Sequence, residues 1–195
     1  MVLGSLIVLY VVFLQSPLAR FEWGGCPSPP KVQNFDLNRY LGNWYEAARD
    51  ASTPFEKGEC SQAHYELNES GTVKVVNSEY RSDNKWYASG GEAYCTGNEG
   101  QCYVRFSKYS PYGDYEVLDT DYENYAVVYS CFNLSFAKWD LGWVLVRDPK
   151  VKIDEQVKML GELTGIMEDE LHFTRQDVCP PKDEVYDLEG RKYDY

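Results

Sequence analysis

Eight short runs rich in Val, Tyr, Phe and Trp follow one another along the chain: Trp44 to Arg49, Cys60 to Leu67, Val73 to Tyr80, Trp86 to Tyr94, Cys102 to Phe106, Tyr115 to Thr120, Tyr125 to Phe132 and Leu141 to Val146. Turn signals separate them, NESG at 68–71, SDNK at 82–85, TGNEG at 96–100 and SPYGD at 110–114. β-Branched and aromatic residues suit a pleated surface, and tight loops join antiparallel neighbours. A meander of this kind has two sticky edges unless it closes on itself, and eight strands closed into a cylinder leave an interior able to hold one small ligand. The pattern predicts an all-β fold, an eight-stranded antiparallel up-and-down β-barrel.

The periodicity then changes. Ile153, Val157, Leu160 and Thr164 recur at helical spacing, with Asp154 and Glu155 near the start where carboxylates favour the helix dipole, so one C-terminal α-helix packs outside the barrel. A short turn through Glu168 to Leu171 and a last short strand over His172 to Thr174 come next. Ahead of the barrel, Phe21 to Arg39 contains Pro27, Pro29 and Pro30 and little periodicity, and reads as an extended arm. From Pro180 the sequence PPKDEVYDLEGRKYDY is Pro-led and acidic, the composition of a disordered, solvated tail. Tyr186, Tyr193 and Tyr195 lie among acids there and are candidates for sulfation in an exported chain. With 195 residues and 44% apolar content, the chain has enough core for a single domain. Residues 20–179 form the barrel with its arm and helix, and 180–195 the tail.

Residues 1–19 read as a secretory signal peptide: an uncharged apolar run from Val2 to Leu14, then a short, more polar stretch to Ala19. The run falls short of the roughly 20 apolar residues of a membrane span, so a secreted, extracellular protein without an integral membrane segment is expected. Six cysteines, Cys26, Cys60, Cys95, Cys102, Cys131 and Cys179, form an even set that suits export and three disulfides. Six cysteines allow fifteen pairings, among which Cys95 with Cys102, flanking a turn-like insert, is the favoured local pair. With two His and no Cys-x-x-Cys, no metal site is expected. Sequons at Asn68 and Asn133, each in an expected loop, fit a secreted glycoprotein. A formal net charge of −12 argues against nucleic acid and anionic membranes as partners.

One local pattern marks the barrel's end. In NRYLGNWYEAARD, residues 38–50, Gly42 permits a tight turn and Trp44 supplies a large flat side chain suited to plugging a small barrel.

Together with CPSPPKVQNFDLNRYLGNWYEAARD, the segments TDYENYAVVYSC at 120–131 and WVLVRDP at 143–149 resemble the lipocalin family, in its apolipoprotein D and insect bilin-binding branch. The three motifs stand in the family's order and the likeness spans Cys26 to Cys179. It implies that Trp44 packs against Arg147 on the last strand, with Gly42, Thr120, Asp121 and Tyr122 in the same structural group. It also implies the bridges Cys26–Cys131 and Cys60–Cys179, with Cys95–Cys102 as an addition to the apolipoprotein D pattern.

Alternation along a strand puts Leu141, Trp143 and Leu145 on the inward face if Arg147 points to the floor. The resemblance places Asn77, Glu79 and Arg81 inward on the third strand, and adds Tyr87, Ser89, Phe106, Tyr115, Val128 and Ser130 as lining. Apolar walls with these few polar groups would bury an apolar ligand and orient a carboxylate, carbonyl or pyrrole edge. An internal ion pair between Glu79 and Arg81, or rim charges facing water, is the alternative, since unpaired charges are costly to bury. The resemblance thus implies a noncatalytic carrier of a small hydrophobic molecule, with no required cofactor. Biliverdin or another bilin, a retinoid or carotenoid, a steroid and a fatty acid are the candidates. The insect bilin-binding pattern has a His where this chain has Glu79, which weighs against a bilin. An isomerase of the lipocalin kind needs a free cysteine in the barrel, and three bridges would leave none. His64 and His172 are isolated, and no Ser-His-Asp or Cys-His arrangement is apparent, so no catalytic residue is assigned. A protein-interaction module, with a cell-surface receptor or a second copy as partner, is the third reading.

Overall fold

The structure, a computed structural model, describes residues 21–193; the expected signal peptide and Tyr195 lie outside them. Its elements are β1 (Phe21–Trp23), α1 (Leu37–Tyr40), β2 (Gly42–Asp50), β3 (Glu59–Leu67), β4 (Val73–Tyr80), β5 (Trp86–Cys95), β6 (Gln101–Arg105), β7 (Gly113–Thr120), β8 (Tyr125–Leu134), β9 (Ala137–Val146), α2 (Asp154–Thr164), β10 (Leu171–Phe173) and β11 (Val185–Tyr186). Strands β2 to β9 pair antiparallel in sequence order, and β9 pairs with β2 to close the eight-stranded barrel. Among the described residues, no helix is long and apolar enough to cross a membrane.

β2 is the strand at which the cylinder changes partners. Its first residues, Gly42 to Tyr45, pair with β3, and its last, Ala48 to Asp50, with β10. A register shift against β9 between Glu46 and Ala48 bends the strand at that point. Apolar side chains pointing inward fill the lower barrel, with Trp44, Tyr65, Val73, Val75, Val117, Val128 and Leu145 in one cluster. A second core lies outside, where α2 lays Val157 and Leu160 on Val127, Tyr129 and Val144. Gly142 makes that approach possible, since a Cβ there would sit 2.8 Å from Ile166 Cδ1 and 2.9 Å from Leu160 Cδ1. The helix ends at Gly165, in the left-handed region at φ 83°, whose N–H donates to Gly161 O at 2.8 Å.

All six cysteines are bridged, as Cys26–Cys131, Cys60–Cys179 and Cys95–Cys102. The first ties the arm to β8, and the second ties the segment after β10 to β3.

The structure departs from the sequence pattern at both ends of the barrel domain. The segment from Phe21 to Arg39 starts extended, with Phe21 to Trp23 paired to Trp139 to Ala137, but is not extended throughout: Leu37–Tyr40 make one helical turn capped by Asp36 Oδ1, which accepts from the Asn38 and Arg39 N–H groups. The tail from Pro180 is not a solvated coil, because Val185 and Tyr186 pair in parallel with Trp86 and Tyr87 of β5. Local composition reports the acids correctly. It carries no sign of the free strand edge that receives them.

Candidate functional site

The site is built upward from the barrel floor. Trp44 is fully buried, and the Arg147 guanidinium lies 3.7 Å from its ring centroid. Arg147 donates from Nη1 to Asn43 O at 2.6 Å, from Nη2 to Arg39 O at 3.0 Å and Leu41 O at 2.9 Å, and from Nε to Tyr122 O at 3.1 Å. One planar cation thus serves the carbonyls left over where α1 meets β2, while its face covers the indole. Gly42 has φ +93°, a backbone conformation that side-chain-bearing residues rarely adopt, so glycine is favoured there by its backbone. The β7–β8 turn completes the plug. Thr120 Oγ1 donates to Tyr125 O and accepts from Tyr122 N, and Asp121 accepts from the N–H groups of Glu123, Asn124 and Tyr125. Partial burial opposes the Asp121 charge, but these donors outweigh it and hold the carboxyl below its usual range.

Above the plug stands a triad of phenols. Tyr115 Oη is 2.8 Å from Tyr40 Oη and 3.0 Å from Tyr65 Oη. Burial pushes all three up, Tyr65 to about 12, so the layer under the cavity, which Tyr65 and Tyr115 line, is polar yet uncharged.

Over this floor lies a cavity of about 440 Å³, within the range of roughly 300–1,000 Å³ of small-molecule pockets. All twelve residues that the sequence analysis points to as lining, Asn77, Glu79, Arg81, Tyr87, Ser89, Phe106, Tyr115, Val128, Ser130, Leu141, Trp143 and Leu145, surround it. Their roles differ. Asn77 lines the wall with its Oδ1 buried and without a hydrogen-bond partner among the described residues. Glu79 is occupied: Oε2 accepts from Lys57 N at 2.8 Å and Gly58 N at 2.7 Å, while Oε1 pairs with Arg81 Nε at 2.5 Å. The internal ion pair is therefore formed, and Glu79 fastens the β2–β3 loop across the mouth. Arg81 also lies 4.6 Å from the Tyr87 ring centroid. Phe106 falls just past β6, with its ring against Gly91.

Sequence reasoning misses the acid beside Trp143. Glu56, in the β2–β3 loop, turns into the cavity and accepts from Trp143 Nε1 at 2.7 Å. Burial raises its pKa well above the usual value, and the negative charges of Glu46 and Glu79 add to this against the opposing pull of Trp143 and Arg49. Glu46 itself is paired with Arg49 at 2.5 Å and accepts from Thr174 Oγ1. No pattern marks a loop residue of this kind. For Tyr65, by contrast, the alternation of Ala63 and Tyr65 on β3 is a usable signal.

The fold has counterparts among known proteins. A family model described as a lipocalin-like domain matches residues 35–176. The chain is a lipocalin. Among its curated relatives, apolipoprotein D of Bos taurus is 39% identical over 165 residues, covering 82% of this lipocalin and 87% of that protein. The Lazarillo protein of Schistocerca americana is 31% identical over 147 residues, covering 70% and 67% respectively. Among solved structures, insecticyanin of the tobacco hornworm Manduca sexta superposes with a TM-score of 0.73 at 22% identity, over 87% of this lipocalin and 96% of that chain. Lobster apocrustacyanin A1 superposes with a TM-score of 0.63 at 22% identity, over 80% and 93%. These structures share the fold.

Proposed function

We propose that this lipocalin is a secreted, noncatalytic carrier of a small, largely apolar and uncharged molecule. The observation that supports this best is the cavity itself: apolar and aromatic walls, a neutral phenolic floor, and few polar groups left to engage a guest. Binding would be driven by apolar area withdrawn from water, at about 25 cal/mol per Å², with Asn77 and the Trp143–Glu56 pair setting orientation. Glu79 is committed to the loop and to Arg81, so it serves the mouth rather than the ligand. The two arginines on the cavity wall, Arg81 and Arg105, are already paired with Glu79 and Glu92, so a carboxylate head would compete for them, which favours a steroid- or retinoid-like molecule over a fatty acid. The similarity to apolipoprotein D, whose name denotes a lipid-associated protein, agrees with this reading. A glycan at Asn68 would accompany export; Asn133, expected in a loop, instead lies on β8 with its Oδ1 accepting from Cys26 N at 2.9 Å.

Native mass spectrometry of protein purified from its source tests the proposal, since whatever leaves the barrel names the cargo. An added mass that organic solvent removes is the expected result, and a colour lost with it would make the cargo a pigment such as biliverdin. An unliganded protein whose tryptophan fluorescence ignores steroids, retinoids, bilins and fatty acids alike would refute it.

A further inference from the structure

The edge of β5 is only half covered by its barrel neighbour. β6 pairs with Glu92 to Cys95 and goes no further than Arg105, leaving Trp86 to Gly91 without a β6 partner on that side. The segment after Cys179 takes up this edge. Val185 and Tyr186 pair with Trp86 and Tyr87, and Tyr193 crosses at Gly90, where a Cβ would come 2.7 Å from its Oη. The segment doubles back as a hairpin, with Tyr193 N donating to Val185 O at 2.7 Å and Asp187 N to Arg191 O at 2.7 Å. It is anchored at several points: the Cys60–Cys179 bridge, Val185 packed with Trp86 and Ala88, and Trp86 Nε1 donating to Pro181 O at 3.2 Å. At its tip Leu188 borders the cavity while 56% exposed.

An exposed leucine held on a fixed hairpin at the mouth of an apolar cavity has an evident use. We propose that residues 185–193 form an added wall of the ligand site, with Leu188 as a ligand-contacting residue that slows release of apolar cargo. This rests on the carrier reading above. β-Augmentation of an open strand edge supplies the attachment, and the Leu188 side chain supplies apolar area that an entering ligand covers. The acids and Arg191 around the tip stabilise the turn, since Asp187 accepts from the Glu189 and Arg191 N–H groups and from Arg191 Nε.

The test uses the full secreted chain, a variant deleted after Pro181 that keeps Cys179, and Leu188→Asp. Release of all-trans-retinol and of Nile red is followed by stopped-flow fluorescence, and amide exchange is read across residues 86–91. Deletion should speed release roughly tenfold, as a change mainly in off-rate, and unmask the 86–91 amides. Leu188→Asp should speed release about fivefold through lost apolar contact, with the 86–91 amides still protected. Release unchanged in both variants overturns the wall while leaving the carrier intact. Unchanged amide exchange on deletion overturns the attachment. Failure of the intact chain to bind either probe, or any of the steroids, bilins and fatty acids offered above, overturns the carrier reading and this inference with it.

Discussion

The two ends of the barrel are held shut by different physics. At the floor, Arg147, Trp44, Gly42 and the Thr120–Asp121–Tyr122 turn form one interlocked plug with its hydrogen-bonding groups paired. At the mouth, the β2–β3 loop is fastened by the Glu79 carboxylate and Trp143, and the flank by a borrowed strand. The plug spreads its bonds over many backbone carbonyls beneath a neutral phenolic layer. The mouth concentrates charge on a few side chains, and so its closure depends on a few bonds.

The largest effect should come from the floor. Trp44→Ala removes a fully buried indole and the surface on which Arg147 rests, and is expected to cost about 3–5 kcal/mol in urea unfolding. A loss below about 1 kcal/mol, the size of an ordinary substitution, would mean that the plug is redundant. Glu79→Gln, at the mouth, keeps the shape but loses the charge received by Lys57 N, Gly58 N and Arg81. A cost of about 1–3 kcal/mol is expected, with faster amide exchange at 57 and 58 and none of that change at 40–44. Equal loosening at both ends would erase the distinction.

Glu56→Gln should have the smallest effect, visible chiefly against pH. The folded pKa of Glu56 lies above its ordinary value of 4.5, so the unfolded chain ionises first as pH rises. Stability is then full below the ordinary value and declines through the window up to the raised one. The glutamine variant keeps an acceptor for Trp143 without that titration. Thermal melts of the two proteins should coincide near pH 4 and separate toward pH 8, with the variant the more stable. A separation that runs the opposite way would place the charged carboxylate as a stabilising group.

The same contrast governs what can be read in the sequence. The floor is legible because its parts lie in compact motifs: Gly42 and Trp44 are two residues apart, and Thr120 to Tyr122 are consecutive. β4 is legible to the residue, since Val73–Tyr80 is bracketed by turns on both sides. The sequence pattern starts β9 only at Leu141, because Lys138 and Asp140 look like loop residues. They are buried, with Lys138 paired to Asp140 at 2.6 Å and to Glu22 at 3.0 Å, and Tyr129 donating to Asp140. Glu22 and Tyr129 lie on β1 and β8, so no local window contains the reason. Glu56 and Leu188 escape sequence reading for a similar cause: each becomes part of the site only when a loop or tail lands on a distant strand.

The two long disulfides make the security of the cup a matter of redox conditions. Cys26–Cys131 moors the N-terminal arm to the staves of the cylinder, and Cys60–Cys179 moors the C-terminal segment. The hoop of hydrogen bonds from β2 round to β9 needs neither. A reducing environment would therefore slacken the moorings at both termini before it opened the ring, turning a guarded vessel into an unguarded one that is still standing.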